Sequence, residues 1–185
     1  MTEQDARWVE QVRAGQLDAY DQLVQKYMNK VYYLLYRMIG REEDAKDLAQ
    51  ECFIRAYKHL HQYDITRSFS SWLYKIAINL CRNELQKQKR QAFELQGQLE
   101  IADTENPEQV YIQKEETRRY QQEIDLLPPF YREVLILRYY QELSYVEISE
   151  SLGITETDVR NYLYRAKRKL RKQTSFIRLK KEVSL

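Results

Sequence analysis

Between Ile154 and Lys172 the chain reads ITETDVRNYLYRAKRKLRK, and seven of the thirteen residues from Arg160 to Lys172 are lysine or arginine. The whole protein carries a formal net charge of only +2, so this is a local concentration of charge. Guanidinium and ammonium groups in such a run suit phosphate oxygens, whereas Asn, Thr and Arg side chains hydrogen-bond base edges. The residue types are those that DNA would engage, and the elements that hold them decide between that and a solvated surface.

That chemistry needs a rigid element holding the cations to one side. Val159, Leu163, Ala166 and Leu170 recur at i, i+4, i+7 and i+11, one apolar stripe of a helix. Thr157, Asn161, Tyr164, Arg165, Arg168 and Lys172 fall opposite it. Thr155 and Asp158 have capping-box spacing, which predicts the helix start. Upstream, in LSYVEISESLG, Ser144 and Glu147 repeat that spacing. An apolar pattern follows through Val146, Ile148 and Leu152, and Gly153 supplies the left-handed stop. Two capped helices across a short turn make a helix-turn-helix pattern. Ile148, Leu152, Ile154, Val159 and Tyr162 stand at its core contacts, and Ser149 where the helices pass closely. The second helix of such a pair enters the DNA major groove. A lone basic helix would more readily be a solvated surface element; its capped partner favours DNA.

The rest of the composition narrows the class. A chain of 185 residues suffices for one medium domain or two small ones. No run approaches the roughly 18 apolar residues of a membrane span. The opening MTEQDARWVEQVRAGQ has no apolar signal core, so a cytoplasmic protein without membrane insertion is expected. Four glycines and three prolines predict an almost wholly helical chain. Cys52 and Cys81 lie in helical apolar patterns and read as reduced core thiols. His59 and His61, the only histidines, make a metal site with Cys52 a poor prospect, and no cofactor is expected. Tyr20, Tyr27, Tyr57 and Tyr139 sit at helical core spacing. Charge is segregated: +3 over residues 1–90, −5 over 91–118 and +4 over 119–185. The expected architecture is all-α: two small helical domains joined by a flexible acidic linker, the second with the helix-turn-helix.

Four helices are legible in the first domain. Ala6–Ala14 ends at Gly15, and Asp18–Ile39 ends at Gly40. A third, from Glu43 to about His61, has Ala45, Leu48, Ala49, Cys52, Phe53, Ala56, Tyr57 and Leu60 as its apolar stripe. The fourth follows SFSS, with Leu73, Ile76, Ala77 and Leu80 as its core face and Lys75, Asn79, Arg82 and Asn83 largely off it.

Taken in order, DLAQECFIRAY, FSSWLYKIAINL and LPPFYREVLILRYYQELSYVEISESLGIT resemble the bacterial sigma factors of the extracytoplasmic-function (ECF) group, over nearly the whole chain. The resemblance implies a promoter-recognition subunit and not an enzyme. It would comprise sigma region 2 over 1–90, a linker over 91–118, sigma region 4 over 119–175 and a basic tail over 176–185. It implies that Asp47, Gln50 and Glu51 dock on the clamp helices of the largest catalytic subunit of core RNA polymerase. It also implies that Arg55, Tyr63, Asn79 and Asn83 capture the −10 element as a single strand. Such capture needs cations along the backbone and a pocket for an unstacked base. The −35 element would be read by Thr157, Arg160, Asn161, Tyr164, Arg165 and Arg168. The chain departs from the family at Thr157-Asp158 and at Tyr162, and Asp158 must turn to the helix cap or repel DNA. Promoter DNA and an anti-sigma factor, often membrane-anchored, complete the implied partners. The alternative is a standalone helix-turn-helix regulator, for which the first domain would be superfluous. No Gly-rich phosphate loop, nucleophile elbow or zinc-ligand cluster supports an enzyme.

Overall fold

Helical periodicity becomes seven α-helices among the described residues, without strands. The structure is a computed structural model; it describes the backbone of residues 3–96, 124 and 126–183, and side chains over 3–93, 124 and 126–171. The first domain contains α1 (Glu3–Arg13), α2 (Asp18–Ile39), α3 (Glu42–His59), a 3₁₀ turn (Leu60–Gln62) and α4 (Phe69–Gln96). The second contains α5 (Pro129–Tyr139), α6 (Tyr145–Leu152) and α7 (Glu156–Val183).

The core of the first domain is set by α2 against α3. From α2 come Leu23, Tyr27, Val31, Leu34, Leu35 and Met38; from α3 come Ala45, Ala49, Cys52, Phe53 and Ala56. The alanines keep α3 narrow on this side, which lets the helices approach closely. Tyr57, expected in the core, is half exposed, because it stands about a quarter turn from the centre of the alanine stripe. Tyr139 and Val146 are also half exposed, against expectation. Tyr139 lies at the end of α5, and Val146 in the first turn of α6, off the Ile148–Leu152 line. An ion pair pins α1 to α2: Asp5, 2% exposed, accepts from Lys26 Nζ at 2.5 Å and from the Tyr27 hydroxyl at 2.8 Å.

Sequence periodicity assigned α4 a single core face, but the structure buries two. Phe69, Leu73, Ala77 and Leu80 serve the first domain; Ser71, Tyr74, Ile78 and Cys81, also buried, face the second domain. There α4 packs on α6, and α2 on α5. Polar bonds stitch the seam. The Tyr74 hydroxyl donates to Gln141 Oε1 at 2.9 Å, Gln141 Nε2 to Lys30 O at 3.1 Å, and Arg132 Nη1 to Met38 O at 3.2 Å. The Arg37 guanidinium lies 3.6 Å from the centre of the Tyr140 ring. Arg82 grips both oxygens of Glu133, at 2.9 and 2.6 Å. Glu133–Leu137 are all buried, so α5 is covered by α7 on one side and by the first domain on another.

One helix end differs from expectation, and the sequence leaves a second open. The fourth helix continues past residue 90 to Gln96, and α7 continues past 175 to Val183, through most of the expected tail. Most of the expected linker, 91–118, lies outside the described residues. No helix among the described residues is long and apolar enough to cross a membrane.

Asp5→Ala leaves a part-buried ammonium and a buried phenol without their shared acceptor. It is expected to lower unfolding stability by about 2–3 kcal/mol, read as a lower denaturant midpoint.

Candidate nucleic-acid interface

The helix-turn-helix owes its rigidity to two capping boxes. Ser144 takes extended angles and accepts from the Glu147 amide at 3.2 Å, while Glu147 Oε2 accepts from the Ser144 amide at 2.9 Å. Gly153, at φ 67° and ψ 37°, ends α6 in the left-handed region and donates its N–H to Ser149 O at 2.8 Å. Two residues later the box repeats. The Asp158 amide donates to Thr155 Oγ1 at 3.1 Å, and Asp158 Oδ2 accepts from the Thr155 hydroxyl at 2.6 Å and its amide at 3.2 Å. Asp158 is thus turned to the helix start, where its charge also complements the dipole. Ser149 Oγ donates to Val146 O at 2.8 Å, so its hydroxyl is satisfied within α6.

Burial tends to raise the Glu147 carboxyl pKa, but the Ser144 amide and hydroxyl and the Ser68 hydroxyl outweigh it and hold it below the ordinary value.

Thr157, Arg160, Asn161, Tyr164, Arg165 and Arg168 are all exposed on α7. Thr157, Asn161, Tyr164 and Arg168 line up one above another opposite Val159, Leu163 and Ala166. Arg160 and Arg165 flank that line. From Thr157 to Arg168 the row is roughly 16 Å long at 1.5 Å per residue, a length that matches a groove about 12 Å wide crossed at an angle. Not all the cations share this face. Lys167 lies over the Tyr139 ring at 5.2 Å and Lys169 over Tyr131 at 5.7 Å. Tyr162 stacks on Phe130 at 5.6 Å and meets Tyr131 at 5.7 Å, tying α7 to α5.

A second polar surface lies between α3 and α4. Arg55 and Asn79 line a cleft of about 340 Å³ with His59, Gln62, Trp72 and Lys75. Asn83 is exposed one turn beyond Asn79. Tyr63, expected among the strand-binding residues, is elsewhere: it is 3% exposed, its ring 5.4 Å from Phe69 and 5.1 Å from Trp72. Its hydroxyl donates to Arg67 O, and burial pushes its pKa up to about 12. It shapes the loop from within, while Trp72 anchors that cluster and reaches the cleft wall. The loop is further held by Arg13, whose guanidinium donates to Leu60 O and Tyr63 O, and by Asp64, which accepts from the Thr66 amide at 3.0 Å and hydroxyl at 2.7 Å.

Asp47 and Gln50 are exposed on α3 and Glu51 is half-exposed. Glu51 accepts from Arg55 Nε at 2.6 Å, so the expected docking and strand-binding sets touch. On the other side, Gln50 rims a groove of about 380 Å³ between α2 and α3, floored by Met28, Tyr32 and Ala49.

Sequence reading missed Lys75 as a cleft residue, although it sits one turn before Asn79, and missed Arg13, whose partners are 47 and 50 residues away. Both cysteines are free and buried, as expected. Among the described residues no group of three or more His, Cys, Asp or Glu side chains could hold a metal.

Comparison with known proteins decides the family. Residues 23–91 match Sigma-70 region 2 and residues 117–170 match Sigma-70 region 4. The ECF RNA polymerase sigma factor SigW of Bacillus subtilis (strain 168) is 39% identical over 176 residues, covering 89% of this chain and 94% of its own. This chain belongs to the ECF sigma factor family. The ECF RNA polymerase sigma-E factor of Escherichia coli (strain K12) is 33% identical, covering 90% of this chain and 93% of its own. Among solved structures, CnrH in complex with the cytosolic domain of CnrY has the same fold, with a TM-score of 0.71 and 24% identity. That match covers 94% of this chain and 98% of CnrH. The sigma factor is thus a transcription initiation factor, with its region 4 match spanning the helix-turn-helix and its region 2 match spanning most of α2 through most of α4.

Because the folded Glu147 pKa lies below its unfolded value, the α6 cap contributes stability at neutral pH that is lost as pH falls below about 4.5 through the folded pKa. Ser144→Ala is expected to cost about 1 kcal/mol at pH 7 and clearly less at pH 3, measured as denaturant midpoints at both pH values.

Proposed function

We propose that this ECF sigma factor docks on core RNA polymerase through Asp47, Gln50 and Glu51 and directs initiation by reading two promoter elements with two separate faces. The α7 row reads the −35 element as duplex in the major groove. The cleft of Arg55, Lys75 and Asn79, with Asn83 beyond it, takes the −10 element as a single strand. The carrying observation is this pairing of unlike surfaces in one chain. A capped helix presents a row of base-reading side chains with arginines at its flanks, suited to a groove. The cleft combines cations, amides and a tryptophan edge, suited to a splayed base. Tyr63 acts here as the packed support of the loop and not as a platform.

The groove beside Gln50 has an apolar floor and a polar rim, which suits a partner helix. Arg55 can turn from Glu51 to a phosphate at little cost, since an exposed pair of this kind is worth about 0.3–0.5 kcal/mol. The functional divisions are those expected from sequence: 1–90, 91–118, 119–175 and 176–185. The protein acts in the cytoplasm without catalytic activity of its own. An anti-sigma factor, membrane-anchored or soluble, holds it inactive; the CnrH structure, a complex with the cytosolic domain of CnrY, supports a partner of this kind. A standalone regulator would leave the α2–α3 groove and the cleft without use.

The test is transcription by purified bacterial core polymerase on a genomic promoter library, with and without the protein. Starts are expected downstream of one shared −35/−10 pair; no protein-dependent starts from an active core would refute the assignment. Asn161→Ala is expected to relax discrimination at one −35 position by about 1–3 kcal/mol. Arg168→Ala should weaken binding across all sequences and reduce the salt slope by about 1. Gln50→Ala should raise the protein concentration needed for half-maximal transcription while leaving the preferred promoter unchanged.

A further inference from the structure

We propose that α1 braces the loop beside the strand-binding cleft, and that Arg13 is the positioning residue through which this helix sets base discrimination at the −10 element. The discrimination rests on the promoter reading above; the brace does not.

The region 2 match begins at residue 23, so α1 (Glu3–Arg13) lies wholly before it. The structure nonetheless ties this helix to the cleft. Val9 and Val12 are buried, and α1 packs on both α2 and the 3₁₀ turn at Leu60–Gln62. Arg13, the last residue of α1, makes the polar link to the turn.

Arg13 closes the end of a helix to which it does not belong. Leu60 caps the C-terminus of α3, where carbonyls run out of intrahelical donors. Its carbonyl accepts from the Tyr63 amide at 3.2 Å, and the guanidinium adds Nη2 at 2.8 Å and Nε at 3.3 Å. The same Nη2 donates to Tyr63 O. A cation at this place also complements the dipole of α3. The two carbonyls stand on either side of His61 and Gln62, so one planar fork fixes both ends of the turn. An ammonium in its place would be a point charge on a flexible stem, without that fixed spacing.

The segment so fixed is a wall of the cleft. His59 and Gln62 line it together with Trp72, Lys75 and Asn79 of α4. A glutamine amide distinguishes base edges only at hydrogen-bond distance, about 2.9 Å, and with good alignment. The turn must therefore hold still against α4 for one base to be preferred over another. The aromatic cluster does part of this. Asp5 of α1 accepts from the Tyr27 hydroxyl at 2.8 Å, and the Tyr27 and Tyr63 rings each lie 5.4 Å from Phe69. Those contacts hold rings; Arg13 holds the backbone of the turn itself.

Arg13 is not among the residues that line the cleft, and its Nε and Nη2 donate to carbonyls. It acts through the turn and not on the strand. It is also exposed, so replacing it opens no core cavity, and the variant keeps the fold while losing the staple.

The full-length protein is compared with Arg13→Ala and Arg13→Lys in two measurements. Hydrogen exchange followed by mass spectrometry reads the brace. The peptide over residues 60–68 is expected to exchange severalfold faster in Arg13→Ala, with α4 peptides unchanged. Transcription by core polymerase reads the consequence, on the promoter selected from the genomic library and on single-base variants of its −10 and −35 elements. Arg13→Ala is expected to cut discrimination at one −10 position about tenfold while leaving −35 discrimination unchanged. Arg13→Lys should restore both readouts only in part. An equal loss on every −10 variant would assign Arg13 to overall stability or affinity and overturn its positioning role. A salt slope lower by about 1, with full rescue by lysine, would place Arg13 on a phosphate and overturn it as well. Unchanged exchange over residues 60–68 would overturn the brace. If the wild type supports no transcription at all, the promoter reading fails and the discrimination with it, and the exchange still decides whether the brace exists.

Discussion

Helix α4 is the constraint around which both domains are arranged. A helix in a small domain ordinarily buries one stripe and exposes the rest. Here Phe69, Leu73, Ala77 and Leu80 are buried on one side while Tyr74, Ile78 and Cys81 are buried on another. What remains exposed is a narrow strip with Lys75, Asn79 and Asn83 on it. That strip is therefore both rigid and polar, since the helix beneath it is held from two directions. A pocket for an unstacked base needs such a wall, because ordering a loose wall on binding would cost entropy. The opposite wall is fixed otherwise. Tyr63, Phe69 and Trp72 pack as an aromatic cluster under the loop, and Arg13 reaches from α1 to hold the loop carbonyls. Burial of Tyr63 is thus a condition for the shape of the cleft.

Region 4 solves the same problem with caps. The row on α7 proposed to read bases would be useful only if the first turn of the helix is fixed, because Thr157, Arg160 and Asn161 belong to its first two turns. The Thr155–Asp158 box fixes it locally, and the Tyr162 stack on Phe130 and Tyr131 fixes its roll against α5. Asp158 is an acid beside a DNA face, yet its oxygens are already committed to Thr155. The carboxylate thus orders the helix start instead of repelling phosphate. Lys167 and Lys169, held over tyrosine rings, add positive potential beside the proposed base-reading row without joining it.

Features written in local spacing were legible in the sequence. Both capping boxes, the Gly153 stop, the bounds of α2 and the outward row on α7 follow from residues within about one turn of each other. Features that depend on distant partners were not. Periodicity on α4 found Leu73, Ala77 and Leu80, but Tyr74, Ile78 and Cys81 also satisfy a helical repeat, and only the second domain explains their burial. Tyrosines misled because a phenol serves equally in a core or at its edge. Tyr27 is buried under an Asp5 hydrogen bond, whereas Tyr57 and Tyr139 are edges that take an aromatic or a cation. Tyr63 carries both characters within one loop, and sequence could not say which would prevail. Of the candidate site, the α7 face was visible in full, while the cleft needed the approach of α3 to α4 to gather Arg55, Lys75 and Asn79.

Where α4 meets α5, Glu133 takes the Arg82 fork with both carboxylate oxygens. Glu133, 2% exposed, has little water to fall back on, so its charge depends on that pair. The seam is mixed in character, since Tyr74, Ile78 and Cys81 are buried on it beside these polar bonds. Tyr74 joins the domains at a second point, since its ring is buried in the seam and its hydroxyl donates to Gln141.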